Sequence, residues 1–145
     1  MNQETNEVMD KLSRFFRGQK EVRVAYLFGS VASGKTGPLS DVDVGVFLDE
    51  SLSKKKRFML NLRLISEISG ILKTDRVDIV IMNDVPVSLN YEIIKSNQPV
   101  YTRDESERVD IEHGILSKYL DRRYYDKRGA DVFIKKVADR GLSWT

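Results

Sequence analysis

Two aspartates stand at positions from which they could share one metal ion. Asp41 and Asp43 are two residues apart in a segment that alternates polar or small residues with apolar ones up to Leu48, a pattern that predicts a β-strand. Residues two apart on a strand point to the same face of a sheet. Because neighbouring carboxylates repel each other, this placement indicates a bound cation, and Mg²⁺ is the natural partner of hard oxygen ligands.

A third aspartate interrupts a later apolar run. Asp78 lies within the segment from Arg76 to Met82, where the pattern predicts a buried strand and a core residue would be expected. A third acid on a neighbouring strand can complete a site for two metal ions, which stabilise both the attacking and the leaving oxygen of a displacement. We therefore predict that Asp41, Asp43 and Asp78 are the catalytic and metal-binding residues.

The first predicted strand ends in a pair of residues suited to phosphate. Val22 to Phe28 is a β-branched and aromatic run, and Gly29-Ser30 follows it directly. A turn or helix that begins there would present backbone N–H groups to an anion, and the Ser30 hydroxyl could donate to a phosphate oxygen. Gly29 and Ser30 are thus the predicted nucleotide-binding residues.

A second phosphate-binding motif overlaps the same segment. Gly29 to Thr36 matches the pattern of P-loop nucleotide hydrolases, with Lys35 as its lysine. The threonine of that motif must open a sustained helix, whereas Thr36 is followed at once by Gly37-Pro38, which ends helical geometry. The sequence therefore favours the aspartate site over the P-loop. For Lys35 it favours a solvated position in a loop.

The remaining pattern predicts an α/β fold in a single domain, with a core over residues 1–103 and a C-terminal helical extension over residues 104–145. Helical periodicity and strand-like runs alternate along the chain. Helices are predicted over residues 3–17, 54–72, 86–97, 104–120 and 130–139, strands over 22–28, 41–48, 76–82 and 99–101, and a loop over 31–40.

Composition excludes several classes of protein. The chain has 145 residues, no cysteine, one histidine and a formal net charge of +2, so neither a cysteine-based zinc site nor direct binding of nucleic acid is expected. The absence of a long apolar run or a signal-peptide pattern predicts no membrane association and a cytoplasmic location.

The segment from His113 onward is basic and carries Tyr119, Tyr124 and Tyr125, which could dock an acidic partner or RNA, although a solvated helix is favoured. The run Lys54-Lys55-Lys56-Arg57 is likewise interpreted as a solvated helix start.

Taken together, Gly29-Ser30, the ten residues that follow, Asp41-Val42-Asp43 and the later Asp78 resemble the polymerase-beta-type nucleotidyltransferase superfamily. Within it, the short chain and the sequences Leu-Phe-Gly-Ser-Val-Ala-Ser-Gly and Ser-Asp-Val-Asp resemble the minimal nucleotidyltransferase (MNT) antitoxins that pair with HEPN toxins. This resemblance covers residues 22–82. It implies a small mixed sheet flanked by helices, two Mg²⁺ ions, ATP as the donor, and a hetero-oligomer in which AMP is transferred to a tyrosine of the HEPN ribonuclease.

Two alternatives remain open at this point. The chain could be an antitoxin that neutralises its partner by binding alone, but aspartates at all three positions argue for retained catalysis. It could also transfer nucleotides to RNA or to a small molecule. The lack of a second, substrate-binding domain makes a protein acceptor more plausible.

Overall fold

The structure is a computed structural model that describes residues 3–29 and 41–140, with side chains described over 5–29 and 41–123. The sequence-predicted order of helices and strands is confirmed. The elements are α1 (Gln3–Phe16), β1 (Val22–Phe28), β2 (Val42–Leu48), α2 (Lys54–Leu72), β3 (Val77–Ile81), a 3₁₀ turn (Met82–Asp84), α3 (Val87–Lys95), β4 (Pro99–Thr102) and α4 (Glu105–Arg140).

The four strands form one mixed sheet in the order β3-β2-β1-β4. β2 and β3 are parallel, whereas β1 is antiparallel to both of its neighbours. β4 lies at the edge, where Pro99, which has no backbone N–H, is tolerated. The predicted α/β fold, a small mixed sheet flanked by helices, is therefore confirmed.

Helices cover both faces of the sheet because alternate residues of each strand are apolar. One face packs against α1 and α2 through side chains such as Phe16, Val44 and Leu64. The opposite face, which also carries Asp43 and Asp78 by strand alternation, packs against α3 and α4 through Tyr26, Met82, Ile93, Ile111 and Ile115.

The C-terminal helix differs from the prediction. The sequence predicted one helix to Leu120 and a separate stretch, Ala130 to Asp139, after Gly129, but α4 runs without a break from Glu105 to Arg140. A glycine inside a helix costs only about 1 kcal/mol relative to alanine, and no proline lies in this segment. Gly129 therefore does not precede a separate helix.

The start of α4 is held by side chains. Asp104 accepts a hydrogen bond from the backbone N–H of Ser106 (2.8 Å), and Glu107 lies 2.5 Å from Arg23 of β1. Further along, the buried Tyr26 hydroxyl donates to Glu112 at 2.5 Å, and Arg108 donates to the same carboxylate at 2.8 Å. These contacts join α4 to the sheet.

Within the part of the chain that the structure describes, no helix has the length and apolarity needed to cross a membrane.

Candidate active site

The sheet topology brings three of the predicted site residues together. Because β1 and β2 are antiparallel, the end of β1 meets the start of β2, and Phe28 pairs with Asp43. Because β2 and β3 are parallel and in register, Asp43 lies directly beside Asp78. Gly29, Asp43 and Asp78 therefore lie next to one another at the adjoining ends of β1, β2 and β3. This end of the sheet is called the aspartate edge below.

Gly29 allows the Asp43 side chain to lie directly against the backbone at the end of β1. It has a φ of +79°, in the left-handed region that favours glycine. A Cβ atom at this position would lie 2.3 Å from Oδ2 of Asp43, closer than real Cβ contacts allow. Glycine is thus required here both for its backbone conformation and because the Asp43 carboxylate lies against its Cα.

Asp43 is the half-buried member of the group. Burial first, and then the negative charges of Asp78 and Asp41, raise the pKa of the Asp43 carboxyl above its ordinary value. Asp78 itself is exposed. The site therefore concentrates negative charge around one partly desolvated carboxylate, and a nearby cation would lower the cost of ionising it.

Asp41 is the exposed residue directly before β2, and it already has a cationic neighbour. Its carboxylate is 3.6 Å from the guanidinium of Arg76, and both side chains are largely exposed. The pairing follows from the register, because Val42 is opposite Val77 and its N–H donates to the Arg76 carbonyl at 2.7 Å. Sequence reasoning missed Arg76, although an arginine two residues before Asp78 could have indicated it once parallel pairing was assumed.

The donor chemistry of the aspartates fits Mg²⁺. Asp43 and Asp78 offer adjacent carboxylates, which are hard ligands, and a divalent cation would offset the burial and the neighbouring negative charges that raise the pKa of Asp43. Among the described residues, however, no three acidic or histidine side chains converge as a ready-made ligand cluster. Asp41 would have to turn away from Arg76 to contribute a third carboxylate.

The other predicted nucleotide-binding positions lie outside the described residues. Ser30 belongs to the segment 30–40, as do Lys35 and Thr36 of the alternative P-loop motif.

A cavity of about 630 Å³ lies near the other end of the strands, lined by residues that include Phe47, Met82 and Asn90. None of the predicted site residues lines it.

Comparison with known proteins identifies the family. The sequence model of the polymerase beta nucleotidyltransferase family matches residues 10–106. No curated protein matches the chain in sequence.

Solved structures share the fold at low sequence identity. A chain of a toxin–antitoxin complex with AMP-PNP is 20% identical with a TM-score of 0.64, and the match covers 87% of this chain and 98% of that chain. A chain of the toxin–antitoxin MntA-HepT is 17% identical with a TM-score of 0.62, over 89% and 98% of the two chains. A chain of the tri-AMPylated Shewanella oneidensis HEPN toxin in complex with MNT antitoxin is 17% identical with a TM-score of 0.61, over 90% and 98%. On the family match, which spans both the sheet and the aspartate edge, this chain belongs to the polymerase beta nucleotidyltransferase family.

Proposed function

We propose that this protein is an MNT antitoxin that transfers AMP from ATP to a tyrosine hydroxyl of a cognate HEPN toxin. The observation that carries the proposal is the adjacency of Gly29, Asp43 and Asp78 at one edge of a nucleotidyltransferase sheet. The similar chains in toxin–antitoxin complexes, one with AMP-PNP and one with a tri-AMPylated HEPN toxin, support the donor and the partner.

In the proposed reaction, Gly29 and Ser30 bind the triphosphate. Glycine allows phosphate oxygens to approach the backbone, and the Ser30 hydroxyl donates a hydrogen bond to one of them. The tyrosine hydroxyl attacks the α-phosphorus, so that a new oxygen–phosphorus bond forms while the bond from the α-phosphorus to the bridging oxygen breaks and pyrophosphate leaves. The exposed Asp78 orients the hydroxyl and accepts its proton.

Asp41, Asp43 and Asp78 would hold Mg²⁺, two ions being the number that the family resemblance implies. When bound, the metal supplies positive charge that offsets both the carboxylates and the charge that develops on the phosphate oxygens. Asp43 is central because it is the half-buried acid and lies between Gly29 and Asp78. Asp41 completes the set after releasing Arg76.

The proposal is tested by transfer of label from α-³²P-ATP to the purified toxin in the presence of Mg²⁺. Asp41→Asn and Asp43→Asn each remove one negative charge at constant side-chain volume, so each should abolish transfer while the fold remains intact by thermal melting. Lys11→Gln, a charge-neutralising change at an exposed position of α1, which packs on the opposite face of the sheet from Asp43, serves as the control and should retain activity. Full activity in either aspartate variant would exclude the proposed site.

A further inference from the structure

The outer surface of α2 combines exposed apolar side chains with lysines. Phe58, Met59 and Leu62 are 60%, 57% and 50% exposed, although large apolar residues are usually buried. They lie within about one turn of each other, and Lys55 projects from the same side of the helix. The described part of the chain places no other element over them.

The lysines of this surface are available for an external partner. Ser53 caps the helix, since its side chain accepts a hydrogen bond from the backbone N–H of Lys56. In the basic run that opens α2, Arg57 is held by Asp84 at 2.8 Å. Lys54, Lys55 and Lys56 are exposed, and none of them has an acidic ion-pair partner among the described residues.

Met59 and Lys55 of this surface also line a groove beside α2. It encloses about 660 Å³, and its walls include Leu52, Met59 and Leu60. Lys55, Lys56 and Arg63 line it with positive charge, against a single acidic lining residue, Glu21. Arg63 also pairs with Glu67 at 3.2 Å. The concave apolar floor and basic rim together match a protein segment that has apolar side chains between acidic ones.

The groove is separate from the aspartate site. Glu21 precedes β1 and Leu52 follows β2, whereas Gly29 follows β1 and Asp43 lies near the start of β2. The five residue steps from Asp43 to Leu48 span roughly 17 Å at the usual rise of a strand. A partner held in the groove would therefore leave the nucleotide edge open.

We propose that the α2 groove is a docking surface for an acidic, apolar segment of the protein that receives the nucleotide, and that it holds this substrate independently of catalysis. This inference rests on the proposed function, because it takes the HEPN toxin as the partner. Charge favours a protein segment of opposite sign over a second copy of this chain, since two identical basic rims would repel each other. The concave shape favours a peptide over a flat membrane surface.

The test compares variants of the full chain for binding to the purified cognate toxin by calorimetry. Lys55→Glu with Lys56→Glu, and separately Met59→Asp, should each weaken toxin binding by about tenfold or more, as expected for hot-spot positions that line the groove. Both should bind AMP-PNP and Mg²⁺ as the wild type does and keep its melting temperature within a few degrees, because the altered side chains are exposed. Wild-type binding should also weaken with added salt.

Two matched controls make the result specific. Lys11→Glu with Lys95→Glu changes the net charge equally at other exposed positions, and Leu120→Asp replaces a leucine that is 59% exposed on α4. Both controls should bind the toxin normally. Unchanged toxin binding in the groove variants, or an equal loss in the controls, would overturn the docking surface.

The other occupants give distinguishable results. Groove variants that lose binding to vesicles with anionic lipid, or that convert a dimer to a monomer by light scattering, while toxin binding stays at the wild-type level, would also refute it. A wild-type chain that neither binds nor modifies the toxin would refute the proposed function itself. A wild-type chain that modifies the toxin, with groove variants that bind it equally well, would refute the docking surface alone.

Discussion

The Cα of Gly29 lies against the carboxylate of Asp43, so closely that a Cβ on Gly29 would be 2.3 Å from Oδ2. The contact joins the residue after β1 to the second residue of the predicted acid pair. A side chain at Gly29, a predicted nucleotide-binding position, would therefore displace the Asp43 carboxylate.

Gly29→Ala should therefore impair both stability and activity. The left-handed φ of +79° costs a residue with a Cβ about 1–2 kcal/mol, and the Asp43 side chain must also move aside. We expect a lower free energy of unfolding in urea and loss of nucleotide transfer. Gly70→Ala, at a helical position with no atom within 4 Å of the added Cβ, is the control and should be neutral or slightly stabilising. An active, fully stable Gly29→Ala variant would contradict the described contact.

Asp43→Asn should stabilise the metal-free protein in a pH-dependent way. The pKa of Asp43 is raised in the folded state, so its charged form opposes folding above that pKa, and the cost disappears below the pKa of the unfolded chain. The variant should melt at a higher temperature than the wild type at pH 8 in EDTA, and the difference should shrink as the pH falls toward 4.

Added Mg²⁺ should reverse this order. The ion should raise the melting temperature of the wild type and have a smaller effect on Asp43→Asn, because binding to the native state alone stabilises it. Differential scanning fluorimetry over pH and Mg²⁺ concentration measures both effects. Equal Mg²⁺ stabilisation of the two proteins would remove Asp43 from the proposed metal set.

Arg76 should compete with the metal for Asp41. The two side chains are 3.6 Å apart and exposed, so the ion pair is weak, and exposed pairs are worth about 0.2–1 kcal/mol. Arg76→Gln should therefore strengthen Mg²⁺ binding by no more than about fivefold, read as the Mg²⁺ concentration that gives half of the maximal thermal shift. Weaker Mg²⁺ binding in this variant would instead show that Arg76 supports the site.

Much of this edge was predictable from local patterns, whereas its contacts were not. Strand alternation placed Asp41 and Asp43 on one face, and the apolar run around Asp78 indicated a neighbouring strand. The pairing of Arg76 with Asp41, and the contact of Gly29 with Asp43, depend on which strands are adjacent and in which register. Register follows from the packing of whole strands, which a local pattern does not contain.

For the helices, too, local patterns predict the elements but not the contacts between distant residues. Helical periodicity predicts a helix over residues 54–72, and α2 spans Lys54–Leu72. The sequence predicts a separate helix that begins after Gly129, whereas the helix-forming residues around this single glycine outweigh it and α4 continues through it. The link between Tyr26 and Glu112 joins residues 86 positions apart, so no local signal could have indicated it.

Tyr26→Phe should destabilise the protein without changing its chemistry. The buried hydroxyl donates to Glu112, and its loss removes a hydrogen bond to a charged acceptor, although Arg108 still pairs with that carboxylate. We expect the free energy of unfolding in urea to fall by about 1–2 kcal/mol. Tyr101→Phe, on a half-buried tyrosine of the edge strand, is the control. Nucleotide transfer at a temperature well below melting should be unchanged in both.

The final prediction separates catalysis from binding. If the chain is a catalytic antitoxin, incubation of the cognate HEPN toxin with the wild-type chain, ATP and Mg²⁺ should increase the toxin mass by one or more AMP units on a tyrosine. The added phosphate brings negative charge and bulk to a ribonuclease site that must bind RNA phosphates, so modification should block the toxin. A variant with asparagine at positions 41, 43 and 78 should produce neither the mass shift nor rescue of growth at equal expression. If that variant rescued growth fully with no mass shift, neutralisation would proceed by binding alone. Intact mass spectrometry of the toxin, with the growth assay run beside it, distinguishes the two outcomes, and a toxin-binding measurement on the same variant shows whether the complex still forms.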